Sequence, residues 1–373
     1  MSKETLIVKN FGPIKDVELE LGKVNVFIGE QAGGKSTLAK LIAIFRDWDF
    51  LEEKLDYKTF FHQYKIGNYF SKETQISYKC EGYRISFLNS KISIDFSSQL
   101  KKKLDDRSIL RDIIITDTEN RPEYLTQFVI ITNSIKPSVY FPAERVFISL
   151  LSSSIFSLLN NKIALPQFLI RFGSNYQVAK NSYENLSFPK FKISYENSNQ
   201  NDLITFRNKK IKVENSSSGL QALLPLILVT EYNHSYGVNK FTDLSYIVEE
   251  PELNLYPKIQ KTLIEFLVER CSKNGNNLIL TTHSPYILTA ISNLILAGNT
   301  LKQNPKLKKE IIKLVPEKYH LNFEDVQAYY VENGKVSSIM DKEYQTIDAS
   351  PIDDVSDDLG ETFDKLLDLK FQK

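Results

Sequence analysis

The stretch VNVFIGEQAGGKSTLAKLIAIF, residues 24–45, constrains this chain more than any other. A mostly apolar, β-branched run leads into a turn containing Gly29, Gly33 and Gly34, and Lys35, Ser36 and Thr37 then open a segment with helical spacing. Gly29-Glu30-Gln31-Ala32-Gly33-Gly34-Lys35-Ser36 fits G-x-x-x-x-G-K-[ST] at every fixed position. Set between a strand and a helix, such a loop turns its N–H groups inward onto a phosphate, and the helix N-terminus adds partial positive charge. Lys35 is expected to reach the β- and γ-phosphate oxygens of a nucleotide, and the Ser36 hydroxyl to ligate Mg²⁺. An α/β fold built around a nucleotide site is therefore the expectation.

The rest of the chain fits that frame. Thr5–Val8, Val17–Leu21 and Val24–Ile28 are short β-rich segments, the first two divided by NFGP, and predict a small antiparallel meander ending in the strand that feeds the loop. After residue 212, SSSGLQALLPLILVTEY starts a helix, LSYIVEE (244–250) is an apolar strand ending in acids, KIQKTLIEFLVERCSK (258–273) is helical and NLILTTHSP (277–285) is a second apolar strand. Strands alternating with helices indicate a parallel or mixed sheet, with ligands at the carboxyl ends of its strands. Residues 50–205 are less legible. Alternation over 71–97 predicts two or three antiparallel strands, and 151–172 reads as helical with a break near Pro166. No heptad run is present, so no long coiled-coil arm is expected.

Three further clusters carry chemistry. In YIVEEPELNLYP (246–257) adjacent acids end a strand beside the phosphate loop. Glu249 is expected to hold the Mg²⁺ shell through water, and Glu250 to polarise the attacking water as general base. TTHSP places His283 at the end of the next strand, where it could bond the γ-phosphate or orient the water. In NSSSGLQ, the residues Ser217, Ser218 and Gly219 open a helix and by themselves are an ordinary N-cap sequence.

Phosphate loop, Ser-Gly signature, double-acid strand and histidine, in that order, resemble the heads of ABC-type ATPases. Within them the chain looks most like the soluble branch that includes RecF, the structural-maintenance-of-chromosomes heads and the overcoming-lysogenization-defect nucleases. VKNFGPIKDVELEL resembles that branch's opening hairpin, IVEEPELNLYP its Walker B and D-loop, and YFPAER (140–145) a motif of its compact, arm-less members. The signature departs from the usual Leu-Ser-Gly-Gly-Gln at Ser216, Ser218 and Leu220. The resemblance implies an α/β ABC-type head: an N-terminal antiparallel meander, a mostly parallel central sheet flanked by helices, and an inserted α+β lobe. It implies a core from 1–50 and 206–300, the lobe at 51–205, and a segment 301–373 that completes the core and ends in an acidic tail. It further implies that Ser217, Ser218 and Gly219 of a second chain close over ATP held by residues 29–37 of the first, so that two ATPs join a head-to-tail homodimer. The family's γ-phosphate-linking glutamine falls on Gln75 or Gln127. The biology implied is anti-phage defence with a separately encoded nuclease or toxin, since no nuclease segment follows residue 300. A RecF-like ATPase acting directly on DNA and an assembly scaffold with negligible turnover are the alternatives.

Composition limits the partners. The 47 Lys and Arg against 46 Asp and Glu leave no global charge to recruit nucleic acid. Local contact with DNA or RNA would fall to KKKLDDR (101–107), RNKKIK (207–212) or KLKKEIIK (306–313), each more ordinarily a solvated face. Cys80 and Cys271 are the only cysteines, which supports neither a disulfide framework nor a paired metal site. The N-terminus has no apolar core, and the run ALLPLILV (222–229) is far shorter than the roughly 20 residues of a membrane span, so a cytoplasmic location without membrane contact is expected. The acidic segment 348–369 carries Leu359, Phe363, Leu366 and Leu367 at helical spacing. It is expected to pack on its own domain, with docking to a partner as the other reading.

Overall fold

The computed structural model describes residues 4–52, 56–102, 135–151, 165–198, 201–235, 242–348 and 350–371. Strands β1 (Glu4–Phe11) and β2 (Ile14–Leu21) form an antiparallel hairpin. The next strand, β3 (Val24–Ile28), leaves them for a different sheet, so the meander expected from the sequence stops at β2. The cause lies in side-chain pattern. All five β3 residues are buried, which demands cover on both faces, whereas β2 alternates buried and exposed positions and can face solvent on one side. The corner between them is held by Asn25, whose side chain accepts from the Gly22 N–H at 2.8 Å and donates to the Gly22 carbonyl at 2.9 Å.

After β3 come α1 (Lys35–Phe45), α2 (Trp48–Leu51) and α3 (Tyr57–Gln63), then β4 (Phe70–Lys79), β5 (Tyr83–Leu88) and β6 (Lys91–Phe96). The alternating stretch 71–97 is thus three antiparallel strands, and β4 pairs with β1 to complete a five-stranded sheet in the order β2-β1-β4-β5-β6. The chain continues through β7 (Ser138–Phe141), α4 (Val146–Leu151) and α5 (Gln167–Asn181), which begins directly after Pro166. A four-stranded antiparallel sheet follows: β8 (Asn185–Phe188), β9 (Ile193–Ser198), β10 (Asn201–Phe206) and β11 (Lys209–Lys212). Then come α6 (Ser218–Ser235), β12 (Ser245–Glu249), α7 (Pro257–Cys271), β13 (Asn277–Thr282), α8 (Pro285–Gln303), α9 (Lys308–Leu314), β14 (Val326–Glu332) and β15 (Lys335–Ser338). A short pair, β16 (Met340–Asp341) and β17 (Thr346–Ile347), precedes α10 (Ser350–Phe371).

The central sheet runs β15-β14-β3-β13-β12-β7, parallel at every pair except the β14–β15 hairpin. Side-chain alternation sorts two cores onto its faces. Val24, Val26, Tyr246, Val248, Leu278 and Leu280 join the core under α5–α8 and the β8–β11 sheet, while Phe27, Ile247 and Ile279 join the core under α1 and the five-stranded sheet. The fold is α/β, with a mostly parallel sheet between two covering layers. Both segments expected to flank the phosphate loop, β12 and β13, lie on the same side of β3 with their carboxyl ends aligned, Glu249 opposite Thr281 and Thr282 opposite Ile28.

The tail corrects an expectation. Of the stripe expected to pack on its own domain, Phe363 and Leu366 of α10 are 62% and 60% exposed, Leu367 is half-buried, and the side chain of Leu359 lies outside the described residues. Periodicity shows that a helix face needs cover, and carries no information about which surface covers it. Among the described residues no helix is long and apolar enough to cross a membrane.

Candidate functional site

The phosphate loop is shaped by two glycines with positive φ. At Gly29, φ is 145° and a Cβ would lie 2.2 Å from the Val331 carbonyl oxygen of β14; at Gly34, φ is 113° and a Cβ would meet Ile14 at 2.3 Å. No other residue tolerates both demands. Gly34 is the N-cap of α1, so the N-terminal end of that helix faces the loop. Lys35 is 5% exposed, and its ammonium donates to the carbonyls of Gly29 at 2.9 Å and Glu30 at 2.6 Å. Burial lowers its pKa, against the attraction of Glu250, Glu252 and Glu30.

The two acids of the strand end have different surroundings. Glu249, the last residue of β12, is 4% exposed and accepts from the Ser36 hydroxyl at 2.5 Å. Burial raises its pKa, opposed by Lys40 and by the Ser36 and Tyr140 hydroxyls. Glu250 takes φ 43°, uncommon for a residue with a side chain, while its N–H bonds the Thr281 carbonyl at 2.9 Å. Its half-exposed carboxylate lies 3.8 Å from His283 Nε2.

Gln31, Ala32, Gly34, Lys35, Ser36, Thr37, Glu250, Thr281 and His283 line one cavity of about 460 Å³, roofed by Gly12, Pro13 and Tyr69. Glu30 and Gly33 face an adjoining recess with Gln31 and Ala32. Chain segments far apart in sequence therefore meet as the motif order suggested. Ser217, Ser218 and Gly219 do not line the cavity. They open α6, with both serines exposed and Gly219 pressed on the loop after β12, where a Cβ would lie 2.7 Å from the Asn254 carbonyl oxygen. Gln75 is exposed on β4 and lines neither recess, and Gln127 lies outside the described residues.

Three residues join the site without having been singled out from the sequence. Tyr69 roofs the cavity. Glu252 accepts from the Thr282 hydroxyl at 2.8 Å and the His283 N–H at 2.7 Å, fixing the backbone that carries the histidine. Arg145, the last residue of YFPAER, is fully buried and aims all five N–H groups at main-chain carbonyls. Nη1 reaches Glu249 at 2.7 Å and Pro142 at 3.2 Å; Nη2 reaches Glu250 at 2.7 Å and Pro251 at 3.4 Å; Nε reaches Ala222 of α6 at 3.2 Å. Burial pushes its pKa down to about 10, against the pull of Glu252, Glu250 and Glu249. One side chain thus ties the double-acid turn to the helix that carries the serine signature. The sequence offered only an arginine shortly after the apolar run SVYF.

The residues fit a magnesium-bound nucleoside triphosphate: an inward-facing loop and a lysine for phosphates, and a hydroxyl–carboxylate pair of the kind that holds a hard cation. Among the described residues no cluster of three or more acidic, histidine or cysteine side chains offers a metal site independent of a nucleotide.

No curated protein matches the chain. Among solved structures it is similar to the SMC head domain from Thermotoga maritima, at 12% identity and a TM-score of 0.41, over 91% of this chain and 98% of that one. It is also similar to the Smc head domain of Pyrococcus furiosus with an extended coiled coil, bound to the C-terminal domain of ScpA, at 12% identity and a TM-score of 0.38, over 90% and 96%. A family model described as "AAA domain, putative AbiEii toxin, Type IV TA system" matches residues 24–289, from the strand that feeds the phosphate loop into the helix after His283. The chain belongs to this AAA family of nucleotide-binding ATPases.

Proposed function

We propose that this ATPase binds and hydrolyses Mg-ATP, that ATP joins two copies head to tail, and that the closed pair controls a separate effector. The observation that carries the reading is the convergence of Lys35, Ser36, Glu250 and His283 on one cavity, with Glu249 bonded to Ser36 at its floor. Loop N–H groups and Lys35 bind the triphosphate and compensate its charge. Ser36, and Glu249 through water, would hold Mg²⁺, which would supply further charge neutralisation at the phosphates. Glu250 takes the proton of the attacking water as general base, and His283 beside it orients that water or bonds the γ-phosphate.

The exposed serines at the start of α6 lie outside their own chain's cavity, which is the placement a cross-chain signature requires. The helix N-terminus behind Ser217, Ser218 and Gly219 favours an anion supplied by the partner copy. The family description, which names a putative toxin of a toxin–antitoxin system, supports reading the separate effector as a defence component, with anti-phage action as the setting. The protein then works in the cytoplasm.

The deciding measurement is mass in solution of the Glu250→Gln variant with and without Mg-ATP, together with phosphate release. A pair that forms only with ATP, and turnover lowered by about 10²- to 10⁴-fold, is expected. Unchanged mass with ATP overturns the clamp, and wild-type turnover in Glu250→Gln overturns the general-base role.

A further inference from the structure

Among the described residues, two exposed apolar surfaces carry opposite charge. The first is a groove of about 370 Å³ between α7, α8 and α9, lined by Ala290, Leu294, Ala297, Ile311, Leu314 and Val315 among others. Leu314 on its rim is 81% exposed. α9 carries Lys308, Lys309, Lys313 and Glu310, with Lys306 in the turn before it; Lys308 pairs with Glu317 at 2.9 Å, and Lys261 and Glu265 of α7 line the groove, which leaves Lys306, Lys309 and Lys313 as the excess positive charge beside it. The second is α10, whose Phe363, Leu366 and Leu369 stand in solvent between Glu361, Asp364 and Asp368. Over residues 350–371 the sequence carries seven acids and two lysines.

We propose that α10 of a second copy of this chain lies in the α7–α8–α9 groove, its apolar stripe on the leucines and its acids along the α9 lysines. An amphipathic helix in an apolar groove is a recurring mode of recognition, read as anchors three and four residues apart. Phe363 and Leu366 have that spacing, and the groove offers the matching apolar floor. Charge complementarity fixes the sense of docking and steers the encounter. The geometry of the tail favours a second copy over the chain's own groove. β17 is anchored beside α8, with the Asn299 side chain donating to the Gln345 carbonyl at 3.0 Å, and α10, which starts three residues after Ile347, does not fill its own chain's groove: Phe363, Leu366 and Leu369 stay exposed, as does Leu314 on the groove rim. If each copy lends its helix to the other, the exchange closes a two-fold pair. The groove and the nucleotide cavity share no lining residue, so this association needs no ATP and is independent of the clamp.

The test is sedimentation of the full-length Lys35→Ala protein over a range of concentrations without nucleotide, which removes any ATP-driven association. Self-association is expected, and Leu366→Asp in the helix or Leu314→Asp in the groove should each weaken it by roughly tenfold or more. Both positions are exposed, so thermal unfolding should be unchanged. Mixing the two variants should restore pairing through the one intact helix and the one intact groove. A Leu314→Cys, Leu366→Cys protein mixed with a larger tagged copy should cross-link between copies. A cross-link confined within one chain assigns the groove to its own helix and overturns the proposal. A monomer at every concentration, or association untouched by both aspartates, overturns it as well.

Discussion

Glu249 and Glu250 are neighbours with opposite surroundings, and the main chain makes the difference. Glu249 ends β12 in the sheet's inward register, so its carboxylate is buried on Ser36. Glu250 turns with φ 43°, which swings its carboxylate into the cavity toward His283. A positive φ at a non-glycine residue persists only where surrounding structure holds it. Arg145 does so by bonding the carbonyls of Glu249, Glu250 and Pro251. Replacing it by an apolar side chain of similar length leaves several buried carbonyls without donors. Arg145→Met should therefore cost about 3 kcal/mol or more of stability, read as a lowered thermal midpoint. Arg145→Lys, with three donors on a point charge for five in a planar fork, should recover only part of the loss.

At the scale of elements, α7 is the strut that carries charge pairs across the molecule's back. Glu269 accepts from Lys190, just after β8, and from Lys318, after α9, both at 2.8 Å, while Arg270 bonds Glu231 of α6 at 2.9 Å. Burial would raise the Glu269 pKa, but the two lysine bonds and the charges of Lys190 and Arg270 outweigh it and hold the carboxyl at about 2, below the ordinary 4.5. A depressed carboxyl stabilises the fold above its unfolded value and loses that contribution as pH falls through the folded one. The Glu269 contribution should thus be complete above pH 4.5 and fade toward pH 2. Comparing thermal midpoints of wild type and Glu269→Gln across that window should show the gap closing as pH falls. A gap that stays constant, or widens, refutes the assignment.

For the whole molecule, the cavity that holds the triphosphate and the helix start that carries Ser217 and Ser218 are separate places on one chain. Under the proposed clamp, every copy gives its signature to its partner's nucleotide. Arg145 then links, within a copy, the glutamate serving one site to the helix serving the other, through Glu250 and Ala222. Ser218→Arg should leave ATP binding to the same chain intact, and Ser218→Arg and Lys35→Ala proteins should each lack phosphate release alone. A mixture should recover part of it, because each mixed pair has one site made of the intact loop of the first and the intact signature of the second. A mixture as inactive as its components refutes cross-chain closure.

The sequence by itself determined the elements whose signal is local. Gly29, Gly34 and Lys35 are dictated by a turn of fixed shape, and β12, α7 and β13 by the period of their apolar residues, so each was legible without its neighbours. It also determined that β12 ends in acids and β13 in a histidine. What only the tertiary structure decided was who meets whom. β3 looked like the third strand of a meander and instead lies between β13 and β14, because strands buried on both faces are drawn to the middle of a sheet. β4–β6 joined β1 and β2 across 48 residues, and the β8–β11 sheet was invisible in a stretch with short, mixed patterns. Arg145 read as one residue of a motif, and four of its five carbonyl partners come from two distant segments, Ala222 and Glu249–Pro251, that no spacing connects. α10 announced an apolar face, and only the folded body shows that face left in solvent. Periodicity encodes which side of an element seeks burial. The partner on that side is a property of packing, set by the whole chain at once.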